Sequence, residues 1–348
     1  MSEPYSAADG LVRVYPAREP NGAGLVWAHG GGFAFGDVDM PEGDWVARQL
    51  AARGTTVVSV DYRLAPVSGA WASGRGDAPR AGHHYPAASD DMIAAWTWAC
   101  ENASRLRIDI TRLAIGGASA GANIAAGAVL RLLGRGGAGV AAAGANSVAD
   151  PAAVVAGADA PGAEAPTAEA PAAGVPAAGV PVPALVVLAY PTLLAVQPAP
   201  DAALRAALDA QPGADRFGPA AVLSMYENYL GGDVTGAPLG AVPGLATAED
   251  VAQFPPTLIV NGEVDELRVS GEAFAATLAT AGREVTVLAE AGTEHGHLNR
   301  PAEAAAPITI ERFARALASL PSPSQSTSSA PPAPSAPPPQ SVLTPDRS

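Results

Sequence analysis

The sequence predicts an α/β fold: a mainly parallel sheet with helices on both faces. Short apolar runs rich in β-branched residues alternate along the chain with longer stretches of helical periodicity, the pattern of strands joined by helical crossovers. The rest of the chain is set apart by composition. Of 348 residues 38 are Gly and 34 are Pro, many of them in three tracts at 67–83, 135–182 and 321–348. Removing those tracts leaves about 255 residues, enough for one sizeable core. A single domain over residues 1–320 is therefore expected, with loose appendages.

Residues 11–15 and 25–28 read as strands, the second running directly into three glycines. A helix is expected over 42–53 and a strand over 55–60, where Val57, Val58 and Val60 supply the β-branched signal. Next come a helix at 87–102 and a strand at 113–116. The following helix, 120–133, is apolar almost all round, as a centrally buried helix should be. Strands at 185–189, 258–261 and 285–288 follow, with a helix over 267–281 between the last two. The final helix, 302–320, places Ile310, Phe313, Ala314 and Leu317 on one stripe, the face of a helix that covers a sheet.

Three segments break this alternation. Residues 135–182 are Ala, Gly and Pro with scattered acids, too poor in bulky side chains to offset the entropy of ordering, and read as a flexible insertion. The Gly-rich stretch 67–83 reads as a surface excursion, and 321–348 as an extended or disordered Pro/Ser tail. Residues 192–254 are the candidate lid. Within them Met225, Tyr226, Tyr229 and Leu230 fall at helical spacing, a stripe that also suits ordinary core packing.

Charge excludes several functions. The formal net charge of −14 and the lack of any basic run argue against nucleic acid and anionic membranes as partners. All 20 cationic residues are Arg, so chemistry that depends on Lys is ruled out: Walker-A phosphate loops, kinases, Schiff-base and pyridoxal enzymes, and Ser-x-x-Lys hydrolases. Cys100 is the only cysteine, which excludes an internal disulfide and a thiolate metal cluster. The first ten residues lack an export-signal pattern and no run of about 18 apolar residues occurs, so a cytoplasmic protein with no membrane span is expected.

Gly117-Ala118-Ser119-Ala120-Gly121 has the Gly-x-Ser-x-Gly form, between a predicted strand and a predicted helix. Small flanking residues there permit a sharp turn that lifts a serine hydroxyl clear of the sheet; a plain Gly-rich turn with a serine helix cap has the same letters. His29-Gly30-Gly31-Gly32 follows the strand 25–28. Three glycines allow backbone angles at which amide N–H groups converge on one point, as a developing oxyanion needs. A serine nucleophile also needs a base. Of the five histidines only His295 and His297 follow Ser119, in the chain order nucleophile, acid, histidine that this architecture uses. His83 and His84 read as solvated loop residues. Asp265, beyond the strand 258–261, can orient an imidazole; Glu263 and Glu266 compete for that role, and Asp265 can equally cap a helix.

His29-Gly-Gly-Gly-Phe33-Ala-Phe-Gly36-Asp37, Asp61-Tyr-Arg-Leu-Ala-Pro66, Tyr85-Pro-Ala-Ala-Ser-Asp-Asp91, Gly117-Ala-Ser-Ala-Gly-Ala-Asn123, Gly262-Glu-Val-Asp-Glu-Leu-Arg268 and His295-Gly296 together resemble the hormone-sensitive-lipase-like esterases, in order from about Leu25 to about Leu317. The resemblance implies an α/β-hydrolase fold with Ser119 as nucleophile, Asp265 as acid and His295 as base. It also implies an oxyanion hole of the Gly30, Gly31 and Ala120 amides, with His297 a neighbour and not the base. Ala118 and Val67 depart from the Asp and Glu usual in that family, and only 28 residues precede His29, so a reduced N-terminal cap is expected. The activity so implied is hydrolysis of small to medium acyl esters through an acyl-serine, with no metal and no organic cofactor. An amidase, lactonase or peptidase with the same triad, or a non-catalytic ligand-binding receptor, are the alternatives.

Overall fold

The structure is a computed structural model describing residues 3–69, 71, 76–134 and 179–321. Residues 135–178 of the expected insertion, the tail beyond Pro321 and part of the 67–83 excursion lie outside the described residues.

The elements run β1 (Tyr5–Ala7), β2 (Val12–Tyr15), β3 (Gly24–Ala28), α1 (Asp44–Ala51), β4 (Thr56–Val60), α2 (Ala87–Glu101), β5 (Leu113–Ala118), α3 (Ala120–Leu132), β6 (Val186–Ala189), α4 (Ala202–Ala210), α5 (Pro219–Leu230), β7 (Thr257–Val264), α6 (Arg268–Thr280), β8 (Val285–Glu294) and α7 (Ala305–Ala318). Among the described residues, eight strands form one sheet in the order β1-β2-β4-β3-β5-β6-β7-β8. β1 and β2 are antiparallel additions at one edge; from β4 to β8 every pair is parallel.

Parallel strands buried on both faces explain the near-continuous apolar runs in the sequence. Successive side chains point to opposite faces, so each strand feeds two cores. Leu25, Trp27, Val57, Val187, Ala189, Leu258 and Val260 join the core under α1 and α7. Val26, Ala28, Val58, Ile115, Val186, Leu188 and Ile259 join the core under α2, α3 and α6. The stripe of α7 lies as expected, with Ile310, Phe313 and Leu317 fully buried, and α3 is buried from Ala120 to Leu130.

Four local expectations change. Edge strand β1 has three residues and no periodicity to betray it. α4 is a short helix begun by Asp201, whose side chain accepts from Leu204 N–H at 2.8 Å. α1 starts at Asp44, leaving Glu42 in a loop. β7 and β8 run on to Val264 and Glu294, past the predicted ends at 261 and 288, because the polar stretch Ala289–Glu294 is held as strand by pairing with β7. That pairing is irregular. Gly262 faces Glu290 but Val264 faces Glu294, so β8 carries two extra residues over this interval. Among the described residues, no helix is long and apolar enough to cross a membrane.

Candidate active site

The site lies where the parallel strands end, the crevice in which open α/β sheets bind ligands. Four loops build it, each beginning within a residue or two of a strand terminus: Gly30 to Gly32 after β3, Ser119 after β5, Asp265 after β7 and His295 after β8.

Ser119 is the hinge between β5 and α3. Its backbone sits at φ 53°, ψ −116°, a region a non-glycine residue rarely occupies. Two contacts hold it there: Ser119 N–H donates to Ala189 O at 2.9 Å, and Asn123 N–H donates to Ser119 O at 3.2 Å. The flanking glycines are required by space. A Cβ on Gly121 would stand 2.2 Å from Ala28 O, and one on Gly117 2.4 Å from Gly121 C. The sharp turn follows from letting β3, β5 and α3 approach this closely.

Ser119, His295 and Asp265 form one hydrogen-bonded line, buried at 8, 7 and 0 % exposure. His295 Nδ1 lies 2.8 Å from Asp265 Oδ2, and His295 Nε2 lies 2.9 Å from Ser119 Oγ. A carboxylate only accepts, so Nδ1 carries the proton and Nε2 accepts from the serine hydroxyl. Asp265 is itself fixed, its Oδ1 accepting from Leu267 N–H at 3.0 Å. The competing acids are elsewhere engaged: Glu263 Oε2 accepts from Gly292 N–H, and burial with Asp215 nearby raises the Glu266 carboxyl.

The two histidines after Ser119 separate cleanly. His297 is fully buried and its Nε2 donates to Thr309 Oγ1 at 2.8 Å, the threonine in turn donating to Glu290. Burial, with His295 and Arg300 nearby, lowers its pKa to about 4. His29 is likewise buried, stacked on Tyr62 with ring centroids 4.5 Å apart, and burial takes its pKa to about 4. His83 is exposed, while the Nδ1–H of His84 donates to Asn228 O on α5, so that loop residue is anchored as well as solvated.

The expected oxyanion donors need one correction. Gly30 N–H donates to Glu42 Oε2 at 2.8 Å and is therefore taken by a carboxylate. Gly31 and Gly32, at φ 120° and 57°, line the cavity beside Ser119, and Ala120 opens α3 next to it. Among the described residues no protein acceptor engages the Gly31, Gly32 or Ala120 amide.

A sequence model described as the alpha/beta hydrolase fold matches residues 77–299. The chain belongs to the α/β hydrolase fold family. Carboxylesterase NlhH of Mycobacterium tuberculosis is 33% identical over 320 residues, covering 90% of this chain and 79% of that protein. The ethyl acetate hydrolase of Pseudomonas putida is 39% identical over 119 residues, 33% of this chain and 32% of that protein. Among solved structures, esterase LipW from Mycobacterium marinum superposes with a TM-score of 0.61 at 26% identity, over 91% of this chain and 80% of the other. The esterase of the archaeon Pyrobaculum calidifontis, at 24% identity, shares the fold with a TM-score of 0.64 over 91% and 82% of the two chains.

In this α/β hydrolase the cavity over Ser119 measures about 320 Å³ and is walled by Phe35, Met40, Trp71, Phe217 and Met225, with Arg216 and Arg300 also lining it. Three wall residues, Arg216, Phe217 and Met225, come from the 192–254 segment. Phe217 meets the His295 ring edge-on at 4.6 Å. The helical stripe in that segment divides: Met225 reaches the cavity, while Tyr226 and Tyr229 of α5 are core packing, fully buried, with Tyr229 stacked on Phe33 at 3.9 Å. Sequence reasoning missed Glu42, Tyr190 and Phe217. None sits in a motif, and a Glu between Pro41 and Gly43 reads as a helix start.

Proposed function

We propose that this α/β hydrolase cleaves carboxylic esters of small to medium acyl groups through an acyl-serine intermediate. One observation carries the reading: Ser119, His295 and Asp265 stand in a continuous 2.9 and 2.8 Å hydrogen-bonded line, with Ser119 and His295 lining the cavity. His295 Nε2 takes the Ser119 proton as Oγ attacks the ester carbonyl, and Asp265 holds the tautomer and steadies the imidazolium. The tetrahedral oxygen is received by the amides of Gly31, Gly32 and Ala120. His295 then protonates the departing alcohol, and water repeats the cycle on the acyl-enzyme. Residues 192–254 act as the cover, through Phe217 and Met225. The mainly apolar wall of the 320 Å³ cavity suits an acyl chain, and the printed name of the ethyl acetate hydrolase it resembles supports a short one.

The test is labelling with an organophosphonate serine probe followed by peptide mapping, alongside turnover of p-nitrophenyl acetate, butyrate and decanoate. Modification at Ser119 with turnover falling toward the longest chain is expected. A folded protein that neither reacts nor hydrolyses any ester is a ligand-binding module instead.

A further inference from the structure

Glu42 is a carboxylate buried to 2 % exposure in the wall of the reaction cavity, and nothing in the triad uses it. Among the described residues it forms no ion pair with an arginine. Its two oxygens are both occupied by donors of the site: Oε2 accepts from Gly30 N–H at 2.8 Å and Oε1 accepts from Tyr190 O–H at 2.6 Å. Its backbone is engaged too. Glu42 O accepts from Trp27 Nε1–H at 2.7 Å, and Glu42 N–H donates to Asn299 Oδ1 at 3.2 Å. One residue thereby ties together the loops after β3, β6 and β8.

Each branch ends on a residue that adjoins a reacting group. Gly30 precedes Gly31 and Gly32, and a Cβ on Gly30 would meet both Glu42 Oε2 at 2.5 Å and Ser119 Cβ at 3.1 Å, so the carboxylate and the nucleophile crowd the same face of this one residue. Tyr190 follows β6 with φ at 34°, and its ring stands edge-on to the His295 ring at 4.9 Å and to the His297 ring at the same distance. A charged acceptor binds two neutral donors more tightly than a neutral one does, and fixes their directions.

Resting on the esterase reading above, we propose that Glu42 is a positioning residue of the catalytic site. By holding the Gly30 amide it sets the orientation of the Gly31–Gly32 peptides that receive the oxyanion, and by holding the Tyr190 hydroxyl it fixes the ring against which His295 is aligned. It touches no reacting atom. Its effect therefore belongs to the transition state and not to ground-state substrate binding.

Glu42→Gln keeps the shape but supplies only one acceptor oxygen for two donors; Tyr190→Phe removes the second branch alone. The measurements are kcat and KM with p-nitrophenyl acetate, and inhibition by a trifluoromethyl ketone, whose hemiketal places an oxyanion in the hole. Thermal unfolding of each variant is followed in parallel. For Glu42→Gln a fall in kcat of about 10²-fold is expected with KM within about threefold, and trifluoromethyl ketone affinity should weaken by a similar factor. Tyr190→Phe should lose about tenfold in kcat, again with KM nearly unchanged. A folded Glu42→Gln that keeps kcat, or that raises KM alone, overturns the proposal. If Glu42→Gln does not fold, Tyr190→Phe decides: unchanged kcat there overturns it equally. Absence of turnover and of Ser119 labelling in the unsubstituted protein refutes the esterase reading itself, a result distinct from any of these.

Discussion

His295 Nε2 lies 2.9 Å from Ser119 Oγ although 176 residues separate them in the chain. The contact exists because β5 and β8 belong to one sheet and end on the same side of it. Ser119→Ala and His295→Ala should each lower kcat/KM for p-nitrophenyl butyrate by about 10³-fold or more, and the double variant should be scarcely worse, since groups acting as a unit do not lose activity additively. His297→Gln should retain most activity. The reverse pattern, with His297→Gln inactive and His295→Ala active, would move the base from His295 to His297.

Asp265 determines which nitrogen of His295 is protonated. Asp265→Asn offers an amide where the carboxylate accepted, which favours the opposite tautomer and leaves Nε2 unable to accept the serine proton. A fall in kcat of about 10⁴-fold is expected with little change in thermal stability. Glu263→Gln, whose carboxylate accepts from Gly292 N–H, and Glu266→Gln, whose carboxyl lies near Asp215, should stay within a few-fold of the unsubstituted rate.

Gly121 is a packing requirement. Alanine there would bring Cβ within 2.2 Å of a backbone oxygen of β3, which neither strand nor helix can yield without moving the elbow. Gly121→Ala should lower stability by at least about 2 kcal/mol and abolish turnover together, or prevent soluble expression. A stable, active Gly121→Ala would show that the elbow tolerates displacement.

His29 and His297 make stability depend on pH. Both have folded-state pKa values lowered to about 4 by burial, against 6.5 for an ordinary histidine. Between those limits the unfolded chain binds the protons and the folded one does not, so stability is complete above pH 6.5 and declines as pH falls toward 4. Each histidine contributes a slope of up to about 1.4 kcal/mol per pH unit. Denaturant titrations at pH 7.5, 6 and 5 test this: His297→Gln should flatten the decline relative to the unsubstituted chain, and an identical slope would contradict the assignment.

Much of this protein was legible from local chemistry. The alternation of β-branched runs and helical stripes is a one-dimensional signal, and it located every parallel strand. The Gly-x-Ser-x-Gly and His-Gly-Gly-Gly segments identified themselves because their glycines answer short-range demands of turn geometry and close approach, visible at Gly117, Gly121 and Gly31. Chain order alone narrowed the base to His295 or His297.

What tertiary structure decided involves partners distant in sequence and carrying no motif. Asp265 and His295 stand together because the β7–β8 ladder skips two residues, so that Val264 pairs with Glu294 and the next residues of the two strands meet; a regular ladder continued from Gly262 and Glu290 would leave His295 two positions out of register. His297 was removed from contention by burial against Thr309, and Gly30 from the oxyanion donors by the Glu42 carboxylate. Burial and hydrogen-bond occupancy are properties of a packed environment assembled from four or five loops. A residue's own neighbours in the chain do not encode them, because the free energy that selects one acceptor for the Gly30 amide depends on which groups the folded sheet brings within 3 Å of it.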